Sequence, residues 1–201
     1  MSHNPDLWLY VVHEAFWSAF GITLLMLKLF DRGRSTAPAN AIAPEAITAR
    51  RSRLLVAFHA LAFGLMYFGI GAAVLRMHVP FWFVGQRVAG SFVVGLGALL
   101  VVWAMVHFRS WRFRARLDKG HELATRGPFR LLRHPIYMGL NLLALGSAIW
   151  VPTLILWIAV VWMVTGSDLR ARAEERVLER AFGSAYRDYC LHTPRFVPGI
   201  Y

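Results

Sequence analysis

Four stretches of the chain, residues 7–30, 54–75, 88–108 and 136–166, are apolar almost without interruption. A helix needs about 20 such residues to cross the ~30 Å hydrocarbon core, where neither water nor an open strand edge can satisfy its backbone. The first three stretches each suit one span. The fourth is longer than one span requires and carries Pro152 at its middle, where the ring and the missing N–H break a helix. It predicts a hairpin of two short helices. The opening stretch has no basic residues before it and is too long for a signal-peptide core, so it predicts a retained first helix.

Charge decides the direction of threading. Five arginines lie in residues 31–53, eight basic residues in 109–133 and six arginines after Gly166, whereas the loop after the second span offers only Arg76 and Arg87. Cytoplasmic loops collect Lys and Arg, so five spans with the N-terminus outside and the C-terminus cytoplasmic put nearly all the positive charge on one side. A single fourth span would send the arginine-rich tail outside. The expected fold class is therefore all-α: an integral membrane bundle of about five transmembrane helices in the cell (inner) membrane. Residues 1–201 form one membrane domain, with three spans in 1–110 and a hairpin plus cytoplasmic tail in 111–201.

Local punctuation refines the outline. Residues 35–49 are a small-residue linker with Pro38 and Pro44. Beyond Gly166 the polar stretch 168–182 carries Leu169, Ala173, Val177, Leu178 and Ala181 at helical spacing, which predicts an amphipathic cytoplasmic helix with one face on the membrane or the bundle. The segment 193–201 has two prolines and reads as extended.

Composition agrees, with 57% hydrophobic and 16% charged residues. The net charge of +11 is spread between apolar runs rather than over a solvated domain, which points away from nucleic acid and towards anionic lipid head groups and an anionic cofactor group. Cys190 is the only cysteine, so no intrachain disulfide can form. The eight histidines show no H-E-x-x-H or closely spaced ligand pattern, and no metal site is expected.

Candidate chemistry concentrates in two places. In the run from Arg126 to Gly139, Gly127–Pro128 is a turn and Pro135 suits the first turn of a helix. His134, Tyr137 and Asn141 then fall on one face at spacings of three and four, and Gly139 lets a ligand or another backbone come close. Taken singly, the arginines suit juxtamembrane anchors and Tyr137 an aromatic belt. The second place holds Arg170, Glu174 and Glu175, followed by Phe182–Gly183 and Tyr186. An exposed Arg170–Glu174 pair would contribute little, but the hairpin returns these residues to the face where His134 and Tyr137 emerge. Gly95 and Gly97 in the third span read as helix packing. His13 and Glu14 form a polar pair near the outer end of the first span.

The run Gly-Pro-Phe-Arg-x-x-Arg-His-Pro-x-Tyr-x-Gly, then Arg170–Glu174–Glu175, Phe182–Gly183–x-x-Tyr186 and Pro194–Arg195–Phe196–x-Pro198, resembles the isoprenylcysteine carboxyl methyltransferase and phospholipid methyltransferase families. The resemblance implies an all-helical enzyme that binds S-adenosylmethionine without a Rossmann domain. The cofactor would lie between the hairpin helices and the C-terminal segment, while a lipid-soluble or amphiphilic acceptor enters from the bilayer. On this reading His134, Tyr137, Gly139, Glu175, Gly127 and Asn141 serve the cofactor, Arg170 and Arg133 steer an anionic acceptor, and Glu174 acts as base if the acceptor is an amine. The acceptor nucleophile and the oligomeric state stay open. The rival from another class is a haem-binding membrane subunit, because His59 and His107 both fall near the cytoplasmic ends of their helices.

Overall fold

The structure, a computed structural model, describes residues 11–13, 15–16, 46–75, 85–107 and 123–197. Most of the expected first span, Glu14, most of the linker and the end of the tail lie outside the described residues. Among them the secondary structure is wholly helical: α1 (Ala46–Val74), α2 (Gln86–His107), a 3₁₀ turn (Gly127–Arg130), α3 (Pro135–Trp150), α4 (Leu154–Phe182) and α5 (Ser184–His192).

The hairpin forms where Pro152 predicts it. α3 starts on Pro135 with His134 as N-cap and stops at Trp150, and α4 follows after a three-residue break. Two boundaries differ from expectation. α1 begins at Ala46, inside the expected linker, because Ala and Arg are good helix formers and a helix can outrun its apolar window. The polar helix expected after Gly166 is not separate, since α4 runs unbroken through Gly166 for 29 residues. A mid-helix glycine costs only about 1 kcal/mol, and here Gly166 and Ser167 are buried, Gly166 against Phe58 and His59 of α1.

α1, α2 and α4 are long and apolar enough to cross a membrane. At 29 residues α4 reaches about 44 Å, longer than the ~30 Å hydrocarbon core requires, and its charged residues are confined to the half from Asp168 onward. α3, with 16 residues, is a short arm of the hairpin. Phe68, Val88, Phe92, Leu99, Val106 and Val161 face outward and exposed, an apolar surface of the kind a membrane helix presents to lipid.

Inside, α2 packs on α3, α3 on α4, and α4 on α1, while α1 and α3 scarcely touch. Glycines make the first contact possible. A Cβ on Gly97 would sit 2.6 Å from the carbonyl oxygen of Gly139, and one on Gly90 would sit 2.8 Å from that of Gly146. Two glycine pairs, each set seven residues apart, thus let the antiparallel backbones meet. Met66, Ile70, Leu143, Leu156 and Met163 fill the centre. At the far end His13 does not reach an interface as its position in the first span would allow. It is fully buried, and its Nε2 meets Ser147 Oγ at 2.7 Å. Ser147 donates its own hydroxyl to the Leu143 carbonyl, so Nε2 carries the proton and donates.

Candidate active site

The end of the hairpin where α3 begins and the charged half of α4 lies is built by three backbone segments. Gly127 opens the 3₁₀ turn at φ +60°, a conformation in which a side chain is strained, and packs on the ring of His107 at the end of α2. The turn delivers the chain to Arg133 and His134. Their N–H groups donate to the carbonyls of Pro194 and Arg195, at 2.9 and 3.3 Å. The segment after α5 therefore pairs with the entrance to α3, and Tyr189 adds a hydrogen bond from its hydroxyl to the Phe129 carbonyl at 2.6 Å.

Side chains reinforce this pairing. Arg195 donates to both oxygens of Glu175, from Nε at 2.9 Å and Nη2 at 2.6 Å, and reaches Asp168 at 3.2 Å. Arg133 donates from Nε to Glu175 at 3.1 Å and from Nη1 to the carbonyls of Cys190 and Thr193 at 3.2 and 3.0 Å. Burial by itself would raise the Glu175 pKa, but the contacts with His134 and Arg195 and the charge of Arg133 outweigh it and hold this carboxyl well below the usual carboxylate range. Burial pushes the phenols of Tyr186 and Tyr189 up. Glu175 is the hub that ties the tail to α4.

Next to it lies a more open group. The Tyr137 hydroxyl donates to Glu174. Arg170 lies 5.2 Å from the Tyr137 ring centroid and places Nη2 3.7 Å from Glu174. The His134 ring stacks on Tyr137 at 5.6 Å and 17°. Its Nδ1 is 3.8 Å from Glu174, and its Nε2 is 3.3 Å from Glu175 without the alignment of a hydrogen bond. That buried nitrogen thus has a carboxylate within ion-pair distance but no aligned hydrogen bond among the described residues. Glu174 is the most exposed carboxylate of the two, at 40% against 14% for Glu175.

Of the residues singled out from the sequence, His134, Tyr137, Arg170, Glu174, Glu175 and Arg133 meet here. Three others sit apart. Asn141 accepts a hydrogen bond from Ser167 at 2.8 Å in the α3–α4 interface, Gly139 faces Gly97 and Val101 of α2, and Gly127 faces His107. The backbone that Gly139 admits is thus that of α2. Gly97 belongs to the same contact, while among the described residues nothing lies within 4 Å of where a Gly95 side chain would begin. Arg133 commits Nε and Nη1 to Glu175 and two tail carbonyls, an anchoring geometry. Sequence reasoning assigned no role to Arg195 or Asp168. The Pro194–Arg195–Phe196 motif was the signal for the first, and Asp168 had none beyond its place at the start of the polar stretch. Of the two candidate haem ligands, His59 Nε2 lies 2.9 Å from Met163 Sδ and His107 Nδ1 bonds the Trp103 carbonyl at 2.9 Å, and nothing here supports the haem reading.

The protein-S-isoprenylcysteine O-methyltransferase B of Arabidopsis thaliana is 32% identical to this chain over 90 residues, an overlap of 43% of this chain and 45% of the plant protein. The chain thus spans less than half the length of that relative. A family model for phospholipid methyltransferases matches residues 85–185, from the loop before α2 into α5. That segment takes in Tyr137, Arg170, Glu174 and Glu175 together and amounts to half of the chain, so the chain belongs to the phospholipid methyltransferase family.

Proposed function

We propose that this protein transfers a methyl group from S-adenosylmethionine to a hydrophobic or amphiphilic acceptor at the cytoplasmic face of the cell membrane. The observation that carries this reading is the group of Tyr137, Arg170 and Glu174 at the level where α4 changes from apolar to charged. Such a place is reached by a water-soluble cofactor from one side and by a lipid-soluble acceptor from the other. The threading it requires, N-terminus outside and C-terminus cytoplasmic, follows from the arginine distribution.

The residues fit the cofactor. Nε2 of His134, which makes no aligned hydrogen bond among the described residues, and the partly exposed Glu174 carboxylate offer a donor or acceptor and an acceptor. They suit its carboxylate, ammonium or ribose hydroxyls. The aromatic rings of Tyr137 and Phe196, both against His134, suit its adenine. When bound, S-adenosylmethionine supplies a methyl already activated on a sulfonium. What remains for the protein is alignment and exclusion of water. Arg170, held over Tyr137, would orient an anionic acceptor such as a carboxylate or thiolate through its planar fork. For an amine acceptor Glu174 would take the proton instead. Glu175 would act on the cofactor mainly by fastening the tail beside Tyr137, Arg170 and Glu174.

Transfer of labelled methyl from S-adenosylmethionine into a total membrane extract, with identification of the labelled product, tests the reading. The expected result is one labelled lipid-soluble product that disappears with Glu174→Gln. Calorimetry on the purified protein that detects no binding of S-adenosylmethionine or its demethylated product would overturn it.

A further inference from the structure

His59 stands on α1, outside residues 85–185 that carry the family match. It is 2% exposed, and an imidazole inside the apolar part of a membrane helix costs free energy unless it is paired or used. Its contacts converge on the candidate site. The ring stacks on Phe63 of its own helix at 5.7 Å and 20°. Its Nε2 lies 2.9 Å from Met163 Sδ on α4, and because a thioether can only accept, Nε2 is the protonated nitrogen. The ring is thereby held from two helices, and its tilted contact with Tyr137, at 5.9 Å and 50°, bridges α1 to α3 where these helices otherwise scarcely meet.

We propose that His59 is a positioning residue for Tyr137. Tyr137 carries the group: its hydroxyl donates to Glu174, and Arg170 and His134 both rest on its ring. A swing of that side chain about its Cα–Cβ bond would take the donor away from Glu174. His134 and Arg170 restrain it from α3 and α4, and His59 restrains it from α1. The geometry of the Arg170–Glu174 pair is then set in part by a helix that lies outside the matched segment. The inference rests on the methyl-transfer reading for its effect on rate, but not for the contact itself.

Two measurements test it. In protein labelled with 3-fluorotyrosine, the Tyr137 fluorine resonance is assigned by its loss in Tyr137→Phe. His59→Ala should shift or split that resonance and leave the other five tyrosines unchanged. The second measurement is a double-mutant cycle on turnover. His59→Ala should lower turnover about ten-fold, as small misplacements of aligned groups do. The double variant with Tyr137→Phe should be no slower than Tyr137→Phe alone within about two-fold, because His59 acts through that hydroxyl. An unmoved Tyr137 resonance overturns the proposal whatever the activity, and so do losses that multiply. Wild-type protein inactive on every acceptor would overturn the methyl-transfer reading instead, with the fluorine spectrum still deciding the role of His59. If His59→Ala does not fold, His59→Leu, which fills the volume without a planar ring, carries both measurements.

Discussion

Arg195 grips Glu175 through both carboxylate oxygens, at 2.9 and 2.6 Å. One contact between the tail and the charged half of α4 thereby fastens the C-terminal segment across the entrance to α3. Bidentate pairs of this kind are the strong ones. Both side chains are about 85% covered, with exposures of 15% and 14%. Arg195→Ala leaves Arg133 as the remaining guanidinium on Glu175 and should cost roughly 2–3 kcal/mol. The expected outcome is a lower melting temperature in detergent together with faster proteolysis at the tail, and unchanged cleavage after α5 would count against the clamp.

The same contact makes stability depend on acid in a defined window. The folded-state pKa of Glu175 is depressed from its ordinary value of 4.5. Its contribution is therefore fully present above that value and is lost as pH falls below it towards the folded-state pKa. The melting temperature of wild type should exceed that of Glu175→Gln by a constant margin from neutral pH down to about pH 5. Below that the margin should shrink. A margin independent of pH down to strong acid would show that Glu175 is not the anion at the centre of the clamp.

The two glycines of the third span should behave differently. A methyl at Gly97 would meet the Gly139 carbonyl at 2.6 Å, and backbone there has no cheap way to yield, whereas Gly95 opens on space. Overpacking of this kind costs about 1–3 kcal/mol or more. Gly97→Ala is expected to lower folded yield and melting temperature, and Gly95→Ala to leave both near wild type. Equal losses in size-exclusion yield would remove the packing explanation.

Arg170 combines a guanidinium over the Tyr137 ring with a 3.7 Å approach to Glu174. Arg170→Lys keeps the charge and loses the planar fork. If Arg170 orients an anionic acceptor, turnover should fall about ten-fold or more, equivalent to about 1.4 kcal/mol of transition-state stabilisation, with cofactor affinity little changed. Near-normal turnover in the lysine variant would return Arg170 to the role of a helix-surface ion pair.

Hydropathy, span length and the proline at 152 were enough to determine the helical membrane bundle, the hairpin and the meeting of the Arg126–Gly139 run with Arg170–Glu175. Each of these rests on a local property, span length or a broken helix, that any neighbour must accept. The division of labour within the site was decided only in three dimensions. Glu174 and Glu175 are adjacent in sequence and equal in chemistry, yet their side chains leave α4 about 100° apart. One meets Tyr137 and Arg170, while the other is enclosed by Arg133, Arg195 and His134. Arg195 lies 20 residues after Glu175, and His59 lies 78 residues before Tyr137 and 104 before Met163. No helical spacing links such residues. Their roles arise because packing a folded tail and a distant helix against one hairpin brings together charges and rings that the linear order keeps apart.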